Sequence, residues 1–301
     1  MSSPIFSVII TTCNRRDLLP YAIQSILDQT FQDFELLIID NGSTDDTRYV
    51  MSCIKDDRIK YILNPSPTQS CDAPRNLGIE LAQGEFISFL DDDDIWYPEK
   101  LEKVKKVFDE NLDVSAVCHY ENKSVHGKIE GMLKYGPWCD YFYEKLLYEG
   151  NCLSPSALTI KAELLKKYGG FDLRREIDGA ADYELWLRLA TQGVKFYFIE
   201  ESLGECRITG NNLSMIDPIY PLKTAYFIKK HLLAYEGKIF FKLSRRGLWR
   251  ISHLYLIAMR SFLKRGDLKG VFKCFFKAGF LFLMRPFLIF NLCSKLLRIQ
   301  H

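Results

Sequence analysis

The sequence lacks any close pairing of cysteines: nine are present among 301 residues, and no two form a C-x-x-C pair. This scatter disfavours a disulfide framework or a zinc site and is typical of proteins in a reducing compartment. The first residues, MSSPIFSVIITT, also lack the basic start of a signal peptide, so we expect none. Together these absences predict a cytoplasmic protein.

Acidic residues are scarce in the last quarter of the chain. From Phe227 onward there are 16 lysines and arginines against two acidic residues, whereas the rest of the chain has 24 basic and 36 acidic residues. A basic tail on an acidic body suggests an anionic partner for the tail, either a membrane or a nucleic acid.

Long apolar runs are missing from this tail, residues 226–301. Its longest stretches without a charge are nine residues, 251–259 and 286–294, whereas a membrane-spanning helix needs about 20. Apolar and basic residues alternate at helical spacing, which favours helices lying in the interface of the inner membrane face. The alternative is a hairpin packed on the rest of the chain, because RSFLKRGDLKGVFKCFFKAGFLF indicates helix, glycine turn and helix. Nucleic acid is disfavoured because no RNA-binding motif is present.

Buried strands and helices alternate through the first third of the chain. The patterns predict strands at 5–11, 34–40, 59–63 and 85–90, and helices at 17–29, 44–54, 75–83 and 98–108. This alternation predicts an α/β fold, with a mostly parallel twisted sheet flanked by helices. In such sheets, ligands bind beyond the carboxyl ends of the strands.

Polar clusters follow three of these strands, at Thr11 to Asn14, Asp40 to Ser43 and Asp91 to Asp94. We expect the clusters to converge at one edge of the sheet. The four consecutive aspartates end the run FISFLDDDD, although like charges repel and resist desolvation. They therefore predict a bound cation or a solvent-filled cleft, and the alternative is a solvated acidic turn before the next helix.

Five segments carry a family resemblance: SVIITTCNR, DQTFQDFELLIIDNGSTDDT, APRNLGIELAQGEFISFLDDDD, SALTIKAELLKKYGGFD and ADYELWLRL. In this order and spacing, between residues 5 and about 215, they resemble the family 2 inverting glycosyltransferases, which have the GT-A fold. The resemblance implies a catalytic domain at 1–225, a nucleotide-sugar donor, most often a UDP-sugar, and Mg²⁺ or Mn²⁺. It also implies a hexosyltransferase that works by single displacement with inversion.

The resemblance also implies roles for individual residues. Asp93 and Asp91 match the metal-binding D-x-D motif, and Asp182 matches the catalytic base at the start of the helix ADYELWLRL, with Asp178 as the local competitor. The nucleotide-sugar positions are Thr11, Asn14, Asp40, Asn41, Arg75, Asp91 and Asp92. Arg75 either contacts the diphosphate or pairs with Asp72 on the surface.

Three positions depart from the family pattern. Asn41 replaces a second acidic residue, which weakens the inference of uridine specificity because an amide both donates and accepts. Ala181 replaces the acid before the base, and Thr209 replaces a histidine that follows Arg207 in relatives. Arg207 itself lies in GECRITGNNLS, which resembles a segment that closes over the donor.

The acceptor that these features favour is a lipid-linked glycan at the membrane surface. A nucleotidyltransferase remains an alternative, but no glycine-rich, basic triphosphate loop follows the first strand. A catalytically silent membrane-binding scaffold is the other alternative, and the retention of Asp91, Asp93 and Asp182 disfavours it.

Overall fold

The computed structural model describes residues 3–209, 219–237 and 243–283. These residues group into two compact units. The larger unit contains residues 3–143, 151–173 and 181–209, and the smaller contains 144–150, 174–180 and the described residues from 219 onward. The predicted division into 1–225 and 226–301 stays a prediction, and the tail residues 238–242 and 284–301 lie outside the described residues.

Within the described ranges, the larger unit is built on one nine-stranded sheet. Its strands are β1 Phe6–Thr12, β2 Phe34–Asp40, β3 Ile59–Leu63, β4 Phe86–Asp91, β5 Ile95–Trp96, β6 Ala116–Val125, β7 Lys128–Leu133, β8 Leu158–Lys161 and β9 Phe196–Ile208. The sheet order is β3-β2-β1-β4-β8-β6-β9-β5, and β7 pairs with β6. The first four strands in this order are parallel, β9 runs parallel to β6, and the remaining pairings are antiparallel. The α/β fold predicted from the alternation is therefore confirmed.

Helices follow the strands closely along the chain. They are α1 Leu19–Leu27, α2 Thr47–Cys53, α3 Asp72–Leu81, α4 Lys100–Glu110, α5 Phe142–Glu149, α6 Ala162–Tyr168 and α7 Ala181–Thr191. The predicted strands at 34–40 and 59–63 are confirmed at both ends. The α3 helix begins three residues earlier than predicted, because Asp72 suits the positive end of a helix and Pro74 is tolerated in a first turn.

The core of the larger unit lies around the parallel strands, which are buried on both faces. On one face, Val8 and Ile10 of β1 pack in the same apolar cluster as Ile23 of α1. On the other face, α3 approaches β1 so closely that a Cβ at Gly78 would lie 2.6 Å from Cγ2 of Ile9. This close approach fixes the position of α3 relative to the strand ends.

In its described residues, the smaller unit contains three longer helices: α8 Tyr220–Glu236, α9 Arg245–Lys264 and α10 Leu268–Leu283. Ser244 caps α9, and its hydroxyl accepts the Gly247 N–H at 3.1 Å. Between α9 and α10, Gly266 has a φ of 72°, which confirms the predicted sequence of helix, glycine turn and helix. Among the helices described, none combines the length and the apolar character needed to cross a membrane.

Candidate functional site

The three polar clusters meet at one edge of the sheet, as their positions in the sequence predict. In the register of the parallel strands, Thr12 of β1 lies opposite Asp40 of β2, and Thr11 of β1 lies opposite Asp91 of β4. The Asn41 N–H donates to the Thr12 carbonyl at 2.8 Å, which carries the pairing one residue past the strand end. The carboxyl ends of three neighbouring strands therefore form the floor of one site.

Asn14 joins the loops that follow β1 and β2. Its backbone has a φ of 56°, a left-handed conformation that asparagine adopts more readily than most residues. Its side-chain oxygen accepts the Thr44 N–H at 2.7 Å and the Asp45 N–H at 3.1 Å, while its own N–H donates to the Ser43 hydroxyl at 2.9 Å. The exposed Asn14 thus ties two loops of the site together.

Asp40 is buried and already has partners for both carboxylate oxygens. Oδ1 accepts the Ser43 N–H at 2.7 Å, and Oδ2 accepts a hydrogen bond from the Tyr61 hydroxyl. Burial, together with this bond to Asp40, raises the pKa of the Tyr61 phenol. Asp40 therefore shapes the turn after β2 and holds it against β3.

Asn41 uses its whole side chain to hold the loop that follows β3. Its amide nitrogen donates to the carbonyls of Thr68 at 2.7 Å and Ser70 at 3.2 Å. Its oxygen accepts from the Asn64 amide at 2.9 Å and from the Thr68 N–H at 3.0 Å. The Asn41 side chain is buried. Asn41, which stands where the family pattern has an acidic residue, therefore orders a loop in this protein.

Replacing Asn41 with aspartate is expected to destabilise the larger unit by about 1–3 kcal/mol, because a carboxylate cannot donate to the carbonyls of Thr68 and Ser70 and would leave a buried charge beside them. The free energy of unfolding, measured in urea, checks this. Gln192→Glu makes the same amide-to-acid change on an exposed side chain and should leave the stability unchanged. Equal stability of wild type and Asn41→Asp would contradict the role in ordering the loop.

Ser156 organises the turn of aspartates after β4. Its buried hydroxyl donates to Oδ2 of Asp94 at 2.6 Å and accepts the Asp91 N–H at 3.1 Å. Its carbonyl accepts the indole N–H of Trp96 at 2.8 Å. The other Asp94 oxygen accepts the Arg207 N–H at 2.8 Å, so Asp94 holds the turn in place.

Asp91 is more exposed than Asp92 and Asp93, and burial raises the pKa of the latter two. The side chain of Asp91 is 39% exposed, whereas Asp92 and Asp93 are buried. Burial raises the pKa of Asp92 to about 7, although the Arg15 guanidinium, 3.7 Å away, opposes the shift. Burial and the charge of Asp91 raise the pKa of Asp93 to about 6. A nearby cation would stabilise the ionised form of carboxylates that lie this close together.

The donor atoms at this turn fit a hard divalent cation. Asp91 and Asp93 offer carboxylate oxygens, which Mg²⁺ and Mn²⁺ prefer. In the part of the chain that the structure describes, no group of three or more histidine, cysteine, aspartate or glutamate side chains is arranged to hold a metal ion. Magnesium is usually bound by one or two carboxylates together with substrate phosphates, so a full protein cage is not required.

Arg75 of α3 is buried beside the aspartate turn. Its guanidinium donates to Oδ1 of Asp91 at 2.5 Å and lies 3.7 Å from Oδ1 of Asp72. It also lies over the Phe171 ring, 5.3 Å from the centroid. The pair of Arg75 and Asp72 is therefore buried and does not lie on the surface, and Asp91 is the nearer of the two carboxylates to Arg75.

The segment of Phe171 is fixed by hydrogen bonds from two helices. Asn76 of α3 donates to the Phe171 carbonyl at 2.8 Å and accepts the Phe171 N–H at 2.7 Å. Arg188 of α7 donates to the carbonyls of Gly169 at 2.8 Å and Gly170 at 2.7 Å. A Cβ on Gly170 would collide with the Asn76 side chain, and Gly169 has a φ of 77°. The paired glycines in YGGFD are the signal that could have identified this anchor.

Asp182 lies in the first turn of α7, as its position in ADYELWLRL predicts, and its side chain is partly buried. Burial raises the pKa of Asp182 to about 6, while the Tyr183 N–H and the positive charge of Arg75 limit the rise. The amide of Asn151 lies 3.5 Å from Oδ2. Asp182 is therefore mostly ionised at neutral pH, and it lies close enough to Arg75 and Asp91 for their charges to affect it.

Arg207 connects β9 to the same site. Besides the bond from its N–H to Asp94, its guanidinium lies 5.5 Å from the centroid of the Tyr21 ring. Thr209 is the last described residue before the gap. The remainder of the segment predicted to close over the donor, residues 210–214, lies outside the described residues.

Comparison with known proteins gives a family match. A model of the family described as Glycosyl transferase family 2 matches residues 7–169, more than half of the chain. An uncharacterized glycosyltransferase of Rickettsia felis is 34% identical over 218 residues, which cover 70% of this chain and 34% of the relative. The chain spans about a third of the length of the Rickettsia relatives that it matches.

Two further proteins are similar to this chain. The GalNAc(5)-diNAcBac-PP-undecaprenol beta-1,3-glucosyltransferase of Campylobacter jejuni is 47% identical over 93 residues, 30% of each chain. The crystal structure of S. aureus TarS 1–349 in complex with UDP-GlcNAc has a TM-score of 0.61 and 16% identity, and the match covers 91% of this chain and 92% of that chain. This structural similarity concerns the fold alone and agrees with the predicted GT-A architecture.

Proposed function

Since the chain belongs to glycosyl transferase family 2, we propose that it transfers a sugar from a nucleotide-sugar to a hydroxyl of a glycan acceptor. The observation that carries this proposal is the meeting of three strand ends at one site. There, the Asp91 carboxylate accepts a hydrogen bond from the buried Arg75, and Asp93 lies on the same turn. The charges of Arg75 and Asp91 also act on the Asp182 carboxylate. This arrangement suits a substrate that carries phosphates at one end and reacts at the other.

The donor's diphosphate would lie at the aspartate turn. Asp91 and Asp93 would hold Mg²⁺ or Mn²⁺, which neutralises the charge that develops on the departing diphosphate. Arg75 bonds to one oxygen of Asp91 and thereby orients this carboxylate. Ser156 and Asp94 hold the backbone of the turn, so the site has its geometry before a ligand arrives.

The nucleoside would lie on the ends of β1 and β2. Thr11 borders Asp91 in the sheet, and Asn14, Asp40 and Asn41 shape the loops around this end of the site. Asp92 lies beside Arg15 at the same turn. We propose UDP as the nucleotide, with support from S. aureus TarS, which has the same fold and is described in complex with UDP-GlcNAc.

Asp182 would act as the general base. Its carboxylate takes the proton of the acceptor hydroxyl while the hydroxyl oxygen bonds to the anomeric carbon and the bond from that carbon to the diphosphate breaks. A single displacement of this kind inverts the configuration at the anomeric carbon. A base with a pKa near 6 is mostly ionised at neutral pH and still accepts a proton readily.

The acceptor that we propose is a lipid-linked glycan at the inner face of the membrane. Support comes from the Campylobacter jejuni relative, whose described acceptor is linked to undecaprenol through a diphosphate. That enzyme and the present chain share 47% identity over 93 residues. The product would be a longer lipid-linked precursor of a surface glycan.

A donor and metal panel tests this function. Purified protein is incubated with UDP-, GDP- and dTDP-sugars, a polyprenyl-diphosphate oligosaccharide, and Mn²⁺, Mg²⁺ or EDTA. We expect one UDP-sugar to yield UDP and an elongated lipid-linked product, with an inverted anomeric configuration by NMR and no reaction in EDTA. Release of pyrophosphate from a nucleoside triphosphate and a sugar phosphate would instead indicate a nucleotidyltransferase. If there is neither turnover nor metal-dependent nucleotide binding, the chain would be a scaffold.

A further inference from the structure

Over residues 268–278, whose side chains the structure describes, the α10 helix buries its small residues and exposes four large apolar ones. Gly270, Cys274 and Ala278, spaced four residues apart, form its buried stripe. The exposed side chains are Leu268 at 60%, Phe272 at 59%, Phe275 at 57% and Phe276 at 70%. Helices on the surface of a soluble domain normally have the opposite arrangement, with the large apolar side chains turned toward the core.

These four exposed residues, Leu268, Phe272, Phe275 and Phe276, form one continuous stripe, which we call the aromatic face. Their spacing of four, three and one places them within about 100° of each other around the helix, at 100° per residue. A continuous patch of four exposed large apolar side chains marks a surface that has a partner. The partner must therefore offer an apolar medium or an apolar surface.

Basic residues flank the aromatic face. Lys269, Lys273 and Lys277 are exposed and repeat every four residues, about a quarter of a turn from the aromatic face. Between residues 260 and 278 there are six basic residues and one acidic residue, Asp267. The Asp267 carboxylate accepts the Gly270 N–H at 2.9 Å and so caps the start of α10. The partner must therefore also be negatively charged.

We propose that the aromatic face of α10 lies in the interface of a membrane that contains anionic lipids. The apolar side chains would enter the boundary between headgroups and acyl chains, while the lysines beside them would meet the lipid phosphates. A second copy of this chain fits less well, because pairing the same face would bring two sets of basic residues together. The proposal concerns where the protein works and does not depend on which sugar it transfers.

Vesicle co-sedimentation of the full chain tests the proposal. We expect binding to vesicles of phosphatidylcholine with phosphatidylglycerol, and binding at least about 10-fold weaker to phosphatidylcholine alone, because each basic residue near an anionic surface contributes about 1 kcal/mol. The combined change Phe272→Ser, Phe275→Ser and Phe276→Ser should weaken binding to the anionic vesicles at least about 10-fold, since each buried phenylalanine contributes over 1 kcal/mol.

A matched control separates insertion of the aromatic face from nonspecific adsorption through any exposed apolar side chains. Tyr49, Leu112 and Tyr141 are 70%, 84% and 61% exposed on the larger unit, and changing all three to serine should leave vesicle binding unchanged. Thermal unfolding of both variants establishes that they are folded. Binding that persists undiminished in the Phe272/Phe275/Phe276 variant would overturn the proposal. So would a dimer that forms without lipid and is lost in that variant, because the aromatic face would then be a contact between two copies.

Discussion

Replacing Asp93 with alanine is expected to lower kcat/KM for sugar transfer by about 10²–10⁴-fold, equivalent to about 3–5 kcal/mol of transition-state stabilisation. Asp93 is one of two carboxylates that we assign to the metal, and it is buried at the turn that Ser156 and Asp94 hold in place. Without it, the ion would have one protein carboxylate and would bind the donor diphosphate poorly. Steady-state kinetics across a range of Mn²⁺ concentrations measure the loss.

Stability measurements distinguish this loss from misfolding. The pKa of Asp93 is raised to about 6 in the folded chain, above its value of about 4 when unfolded. Ionisation of Asp93 therefore costs the metal-free protein stability as the pH rises from about 4 through about 6. At pH 7 that loss is complete, so removing the carboxylate should leave the melting temperature unchanged or higher. Asp109→Ala, on the exposed face of α4, is the matched control for both assays. Full metal-dependent turnover by Asp93→Ala would rule out the metal role.

Replacing Asp182 with asparagine is expected to lower kcat by about 10²–10⁴-fold, because an amide of the same shape cannot take the acceptor proton. The dissociation constant of UDP in the presence of Mn²⁺ should not change, since the substitution spares the aspartate turn. Asp178→Asn makes the same change four residues earlier and is the control. An active Asp182→Asn variant beside an inactive Asp178→Asn variant would move the base to Asp178.

The pH dependence of the wild-type enzyme should carry the signature of Asp182. Its pKa is raised to about 6, mainly by burial, so the proportion in the ionised, proton-accepting form falls as the pH drops below about 6. We therefore expect kcat/KM at saturating metal to rise with pH through about 6 and then level off. The residual activity of Asp182→Asn should lack this rise. A wild-type profile that is flat between pH 5 and 7 would argue against the assignment.

The sequence predicts the first half of the sheet well, because that half is built from local patterns. Strands β2 and β3 are apolar runs bounded by turn residues, and both ends of each were predicted. The start of α3 was missed because proline within a first turn resembles a helix break. The pairings of β8 with β4 and β6 join segments about 40 to 75 residues apart, and no local pattern encodes them.

The candidate site was predictable where a residue type and a strand end coincide, as at Asp40 and Asp91. The anchoring residues were not predictable, because their contacts span long distances in the sequence. Ser156 bonds to Asp94, 62 residues away, and Asn76 bonds to Phe171, 95 residues away. Likewise, the hydrogen-bond partners of the Asn41 side-chain nitrogen and oxygen are evident only in the folded loop after β3.

The most direct test of the metal-dependent nucleotide site is calorimetric titration of UDP into the full chain, once with Mn²⁺ and once with EDTA. The assignment of Asp91 and Asp93 predicts that UDP binds at least about 10-fold more tightly with Mn²⁺, in line with the loss of one charged interaction of about 1.4 kcal/mol or more. It also predicts that Asp93→Ala loses this difference. Equal UDP affinity in Mn²⁺ and in EDTA would contradict the central claim.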